Sequence, residues 1–185
     1  MRLLSFLVLI VGLAHGSENL KLPTPPNGFT WQILPEMQGA LLKPDGWHYK
    51  TDSNGDTVGH VISKEKIEKN GQFLTGLTFQ CIKNVPQKSG MPASTYIKKF
   101  ADEAATSQKL LERREFRRGA FECVQFRYVS VAPGEPNVEI VDRLMANEKT
   151  GSVFLVIFEA PEKKWDAEYR IAEVILKQMV IDEKI

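Results

Sequence analysis

The run Val153-Phe154-Leu155-Val156-Ile157-Phe158 contains no polar side chain. Its length suits a strand better than a buried helix. Successive side chains of a strand point to opposite faces, so an all-apolar strand needs cover on both. The run therefore predicts a strand near the middle of a sheet, with other elements packed above and below it. Asn147-Glu148-Lys149-Thr150-Gly151 reads as the hairpin tip that leads into it, and Pro161 ends it.

The first half of the chain also reads as β-structure. Ala40-Leu41-Leu42-Lys43 is short and apolar and is closed by the turn residues Pro44-Asp45-Gly46. Trp47-His48-Tyr49-Lys50 follows, then Asn54-Gly55, a dipeptide that tolerates the positive φ of a tight hairpin. Thr57 to Ser63 is the return strand. Asn70-Gly71 is a second such turn, and Phe73 to Val85 continues with Leu77, Phe79 and Cys81 in alternation. Two such turns in series predict an antiparallel meander.

The period then changes. Pro92 suits the first position of a helix, and Ala93, Tyr96, Ile97, Phe100, Ala104 and Leu111 recur near helical spacing. These predict an amphipathic helix from Pro92 to about Arg113. Ala120 to Val131 and Asn137 to Ala146 return to strands. In Lys163 to Val180, the residues Trp165, Tyr169, Ala172, Leu176 and Met179 form one apolar helical stripe.

The N-terminus reads as a targeting segment. Arg2 is the only charge before the apolar run Leu3 to Ala14, and Ala14-His15-Gly16 offers the small residues of a signal-peptidase site. Residues 1–16 are expected to be removed, leaving Ser17 first; an uncleaved anchor is the alternative. The run is too short to span a bilayer, and no later stretch is long enough. Residues 17–28, with Pro23, Pro25 and Pro26, are expected to form an extended leader. Residues 29–185 then make one globular domain, beginning near Phe29. The expected destination is outside the cytoplasm: secreted or periplasmic.

Composition narrows the function classes. The 185 residues carry 24 Lys+Arg against 23 Asp+Glu, and loss of Arg2 brings the formal net charge to zero. That balance argues against a nucleic-acid partner. Cys81 and Cys123 are the only thiols. Export makes a disulfide between them possible, with two buried free thiols as the alternative. His48 and His60 lie on strands that the Asn54-Gly55 turn would pair, near Asp45, Asp52 and Asp56. No ligand motif of the usual spacing is present, so exposed strand histidines and no metal are expected. Asp52-Ser53-Asn54-Gly55-Asp56 fails as a calcium loop, because Thr57 stands at the required glycine and Ser63 at the bidentate glutamate.

No phosphate-cradling glycine loop, Gly-x-Ser-x-Gly elbow or His-Glu-x-x-His helix occurs. No catalytic residue and no cofactor is therefore assigned. Arg113-Arg114 and Arg117-Arg118 flank Glu115-Phe116 just past the expected first helix. Cations there would complement the helix's negative end, or form a contact for a protein partner or an anionic ligand. Trp47 is a second candidate contact.

The order of elements, together with Leu42-Lys43-Pro44-Asp45-Gly46-Trp47, resembles the PsbP-like family over about residues 29–183. That family includes photosystem accessory proteins and DcrB-type bacterial envelope proteins. The resemblance implies an α+β fold, an α-β-α sandwich with a mostly antiparallel sheet flanked by helices. It also implies a non-enzymatic accessory or binding protein of the cell envelope. The alternative is a small extracytoplasmic hydrolase with an Asp/Glu/His site that no motif reveals.

Overall fold

The structure is a computed structural model that describes residues 20–54, 57–67 and 73–184. The chain opens with strands β1 (Phe29–Leu34), β2 (Gly39–Pro44), β3 (His48–Asn54), β4 (Thr57–Ser63) and β5 (Gly76–Ile82). A short helix α1 (Val85–Ser89) and the longer α2 (Ala93–Ser107) follow. Then come β6 (Leu110–Arg118), β7 (Phe121–Ser130), β8 (Val138–Asn147) and β9 (Ser152–Pro161). Helix α3 (Trp165–Gln178) and β10 (Val180–Ile181) close the chain. The expected signal segment lies outside the described residues.

The strands form a seven-stranded sheet of order β3-β4-β5-β9-β8-β7-β6 and a three-stranded sheet of order β1-β2-β10. Every pairing among the described residues is antiparallel. The fold is thus α+β with a mostly antiparallel sheet. The apolar run from Val153 to Phe158 lies in β9, the middle strand of seven, as its need for cover on both faces requires. The register pairs Asn54 with Thr57, as a two-residue hairpin turn demands. Gly55, Asp56 and the second expected turn at Asn70-Gly71 lie outside the described residues.

Two apolar clusters occupy alternate positions along the central strands, hence opposite faces of the large sheet. One joins Phe79, Phe154, Val156 and Phe158 to Leu41 and Leu42 of β2 and to Trp165, Ala172 and Ile175 of α3. The other joins Ala93, Ile97 and Ala101 of α2 to Val124, Phe126, Leu144, Ala146 and Val153. Along the α2 face the second cluster ends at Tyr128 and Leu155; Val138, Ile140 and Ile157 lie beyond it.

One expected boundary is corrected. Helix α2 ends at Ser107, well short of Arg113, and Gln108 is already extended at φ −129. The hydroxyls of Thr106 and Ser107 turn back onto the Glu103 carbonyl. Leu110 to Arg118 consists largely of good helix formers, yet it pairs along β7 as the edge strand β6. Helix propensity is worth only tenths of a kcal/mol per residue, so a cross-strand ladder readily overrides it.

Candidate functional site

The part of the large sheet that α2 leaves uncovered forms the floor of a groove of about 530 Å³. Strand β8 contributes Val138 and Ile140, β9 contributes Glu159, and β7 contributes Ser130. The walls are Glu65, Lys66, Phe73 and Leu74 on one side and Glu135 and Pro136 on the other. The carboxylate of Glu65 accepts the backbone N–H groups of Leu74 and Thr75 at 3.2 and 2.9 Å, which holds the first wall in shape. Two large apolar side chains are exposed at or near the rim: Leu74 at 51% and Val131, next to Ser130, at 71%. Leu74 lines the groove itself, and Val131 follows the lining residue Ser130 in the chain.

The floor is acidic. Glu159 pairs with Ile140 across the β8–β9 ladder, and Asp142 pairs with Ile157. Asp142 and Glu159 are therefore diagonal neighbours on one face, with Tyr128 of β7 beside them. Asp142 is only 5% exposed, and its Oδ1 has no hydrogen-bond partner. Burial pushes its carboxyl up to about 7, and the charge of Glu159 adds to the effect. Burial raises Glu159 as well. Tyr128 is pushed up to about 12, by burial first and then by the two carboxylates. The groove thus sets Glu159, with Asp142 behind it, beside the apolar side chains of Phe73, Leu74, Val138 and Ile140. None of these residues was singled out from sequence. The available signal was a charged pair, Asp142-Arg143, set between the apolar stretches Ile140-Val141 and Leu144-Met145-Ala146.

The residues that sequence did single out lie elsewhere. The four arginines stand on β6 and not at the end of α2, so they alternate between its faces. Arg113 binds Asp102 at 2.6 Å and Glu115 at 3.4 Å. Arg114 lies over the Phe116 ring and 3.8 Å from Glu112. Arg117 pairs with Glu122 at 2.9 Å. Arg118 does complement a helix end, but that of α3: it donates to the carbonyls of Leu176, Lys177 and Met179. Trp47 is 9% exposed and belongs to the core on the α3 side, so it offers little to a partner.

The thiols of Cys81 and Cys123 are free and buried. Cys81 is on β5 and Cys123 on β7, with β9 and β8 between them, which is too far for a disulfide. Burial pushes each thiol up to about 11. The histidines also differ from expectation. His48 pairs with Ser63, and His60 pairs with Thr51, so their side chains face opposite ways. His48 is exposed, whereas His60 is 1% exposed, with Nδ1 2.8 Å from the Tyr49 hydroxyl. Among the described residues, no group of three or more His, Cys, Asp or Glu could hold a metal ion. The side chain of Asp52 and all of Asp56 lie outside them.

No family model matches the sequence. No curated protein matches it either. Solved structures do match. The solution structure of cyanobacterial PsbP (CyanoP) from Synechocystis sp. PCC 6803 has a TM-score of 0.55 at 12% identity, covering 90% of this chain and 100% of that one. A structure from Bacteroides thetaiotaomicron has a TM-score of 0.50 at 10% identity, covering 78% of this chain and 45% of that one. A Pseudomonas aeruginosa protein of unknown function, PA94, has a TM-score of 0.47 at 13% identity, covering 78% and 91%. The chain has a PsbP-like fold.

Proposed function

We propose that this PsbP-like chain is an exported, non-catalytic accessory protein that binds a protein partner in the groove on β7, β8 and β9. We read the fold as an α-β-α sandwich whose α2 layer is too short to cover its face, so the groove is the part left open. The observation that carries this reading is the groove's make-up: Phe73 and Leu74 in one wall beside a floor of Val138, Ile140 and the acidic Glu159. Binding sites are mostly apolar clefts with a few convergent polar groups. Ser130 supplies a hydroxyl to the floor, but no hydrogen bond joins it to a base among the described residues. Activating a serine needs such a neighbour. The PsbP-like resemblance favours the same accessory role, and the near-neutral charge disfavours nucleic acid.

The test is a photo-crosslinking residue at Val131 in cells making the full chain. The expected result is one adduct in the extracytoplasmic fraction, on protein that starts at Ser17, and its loss with Leu74→Asp. An adduct indifferent to Leu74→Asp would remove the groove from the binding site. Protein retaining Met1 in the cytosol would refute export.

One observation favours the hydrolase alternative: Asp142 and Glu159 are neighbouring carboxyls held up by burial, as acid–base pairs are. Turnover of an ester, glycoside or peptide substrate that disappears in Glu159→Gln would establish it.

A further inference from the structure

We infer that the occupant of the groove presents a lysine or arginine side chain between apolar neighbours, its cation received by Glu159 with Asp142 behind it. The inference rests on the groove being the binding site and adds the chemistry of what enters.

The first observation is an internal contrast. Elsewhere the protein matches its buried carboxylates with its own cations. Glu139, on the opposite face of β8, holds Arg127 at 2.6 Å, and Glu168 of α3 holds Lys64. Glu159 has no hydrogen bond or ion pair among the described residues, and Asp142 keeps a buried oxygen without a partner. An unpartnered buried carboxyl such as Asp142 is costly, and a cation received by the half-buried Glu159 in front of it would compensate that cost. It need reach only Glu159, which lines the groove; Asp142 stands one rung further along the same face.

The second observation is the balance of charge. Among the described lining residues the carboxylates are Glu65, Glu135 and Glu159, and the one cation is Lys66. An anionic occupant is disfavoured, and a cationic one is drawn in and oriented. Among the described residues no group of three or more His, Cys, Asp or Glu could hold a metal ion, which favours an organic cation.

The third observation is the apolar surroundings. A lysine or arginine carries an aliphatic stem that can lie along Val138 and Ile140 while its head reaches an acid. Leu74 and Val131 then meet the residues on either side of it. A small free amine would leave both exposed.

The test uses three short acetylated peptide amides, identical and apolar except at the central position, which is lysine, norleucine or glutamate. Each is titrated into the full chain above pH 7, and the methyl resonances of Leu74, Val138 and Ile140 are followed by NMR. The lysine peptide should bind about tenfold more tightly than the norleucine peptide, and the glutamate peptide most weakly. Glu159→Gln should bring lysine down to the norleucine level. Equal affinity for lysine and norleucine in the natural protein overturns the inference and leaves the groove standing. If no peptide moves these methyls, the groove fails as a site and the inference with it. The lysine–norleucine comparison needs no variant, so it decides the matter even if Glu159→Gln does not fold.

Discussion

Glu159 sits opposite Ile140 on the β8–β9 ladder, which makes Asp142 its diagonal neighbour on the same face of the sheet. One step away on the other face of β8, Glu139 is paired with Arg127 at 2.6 Å. Burial raises all three carboxyls, but only Glu139 has a cation beside it to oppose the rise; Asp142 is pushed up to about 7.

That difference has a sign in the pH dependence of stability. Asp142 titrates near 7 in the folded chain against an ordinary value of 3.8. Between those values the native state holds a proton that the unfolded chain has released. The contribution of Asp142 is fully present at the acid end and is lost as pH rises through 7, with an upper bound of about 4 kcal/mol. Asp142→Asn should therefore gain stability relative to the natural chain at pH 8 and little at pH 4. Urea unfolding of both proteins at each pH checks this; a gain that does not grow with pH contradicts it.

Arg118 and Arg117 are neighbours in sequence with different work. Arg118 donates to three carbonyls at the end of α3, whereas Arg117 is 78% exposed and among the described residues pairs only with Glu122. Charged hydrogen bonds to partly buried carbonyls are worth more than a surface ion pair. Arg118→Ser should cost about 1–3 kcal/mol, and Arg117→Ser less than about 0.5. Thermal unfolding of the two variants distinguishes them, and equal effects would show that Arg118 does not cap α3.

His60 and His48 divide in the same way. His60→Ala opens a cavity beside Tyr49 and should cost about 1–3 kcal/mol, while His48→Ala on the exposed face should be near neutral. Burial lowers the His60 pKa, and Glu36, 3.7 Å from Nε2, only partly opposes this. The native state therefore keeps the ring neutral. Its contribution is present above about 6.5 and falls as pH drops below that value. The stability gap between the natural chain and His60→Ala, measured at pH 7.5 and 5.5, should narrow in acid; a constant gap contradicts this.

Cys81 and Cys123 should behave as two inert core thiols. With both pushed up to about 11 and buried, neither should react with Ellman's reagent in the folded protein, and both should react after denaturation. A reductant should leave the melting temperature unchanged. A drop on reduction would mean that the two are bonded after all.

Much of this architecture was legible in the sequence because it depends on local pattern. Thr57–Ser63 is a strand of the expected extent, and α3 carries the expected stripe from Trp165 to Leu176. The site was not legible. Asp142 and Glu159 are separated by a hairpin and meet only through the register of β8 and β9. The arginines misled because four cations after an apolar helical stripe look like a helix end, and nothing local says that they line an edge strand.

By itself the sequence determined where β9 must go, because six consecutive apolar side chains cannot face water on either side of a strand. It likewise determined the stripes of α2 and α3, since helical spacing puts their apolar residues on one face. Only the tertiary structure decided the rest: that Leu110 to Arg118 is a strand, that two strands part the cysteines, that His60 is buried, and that α2 stops short of Ile140 and Glu159. Each depends on which distant segment lies alongside. Pairing partners contribute more free energy than local propensity does, and a linear pattern does not name them.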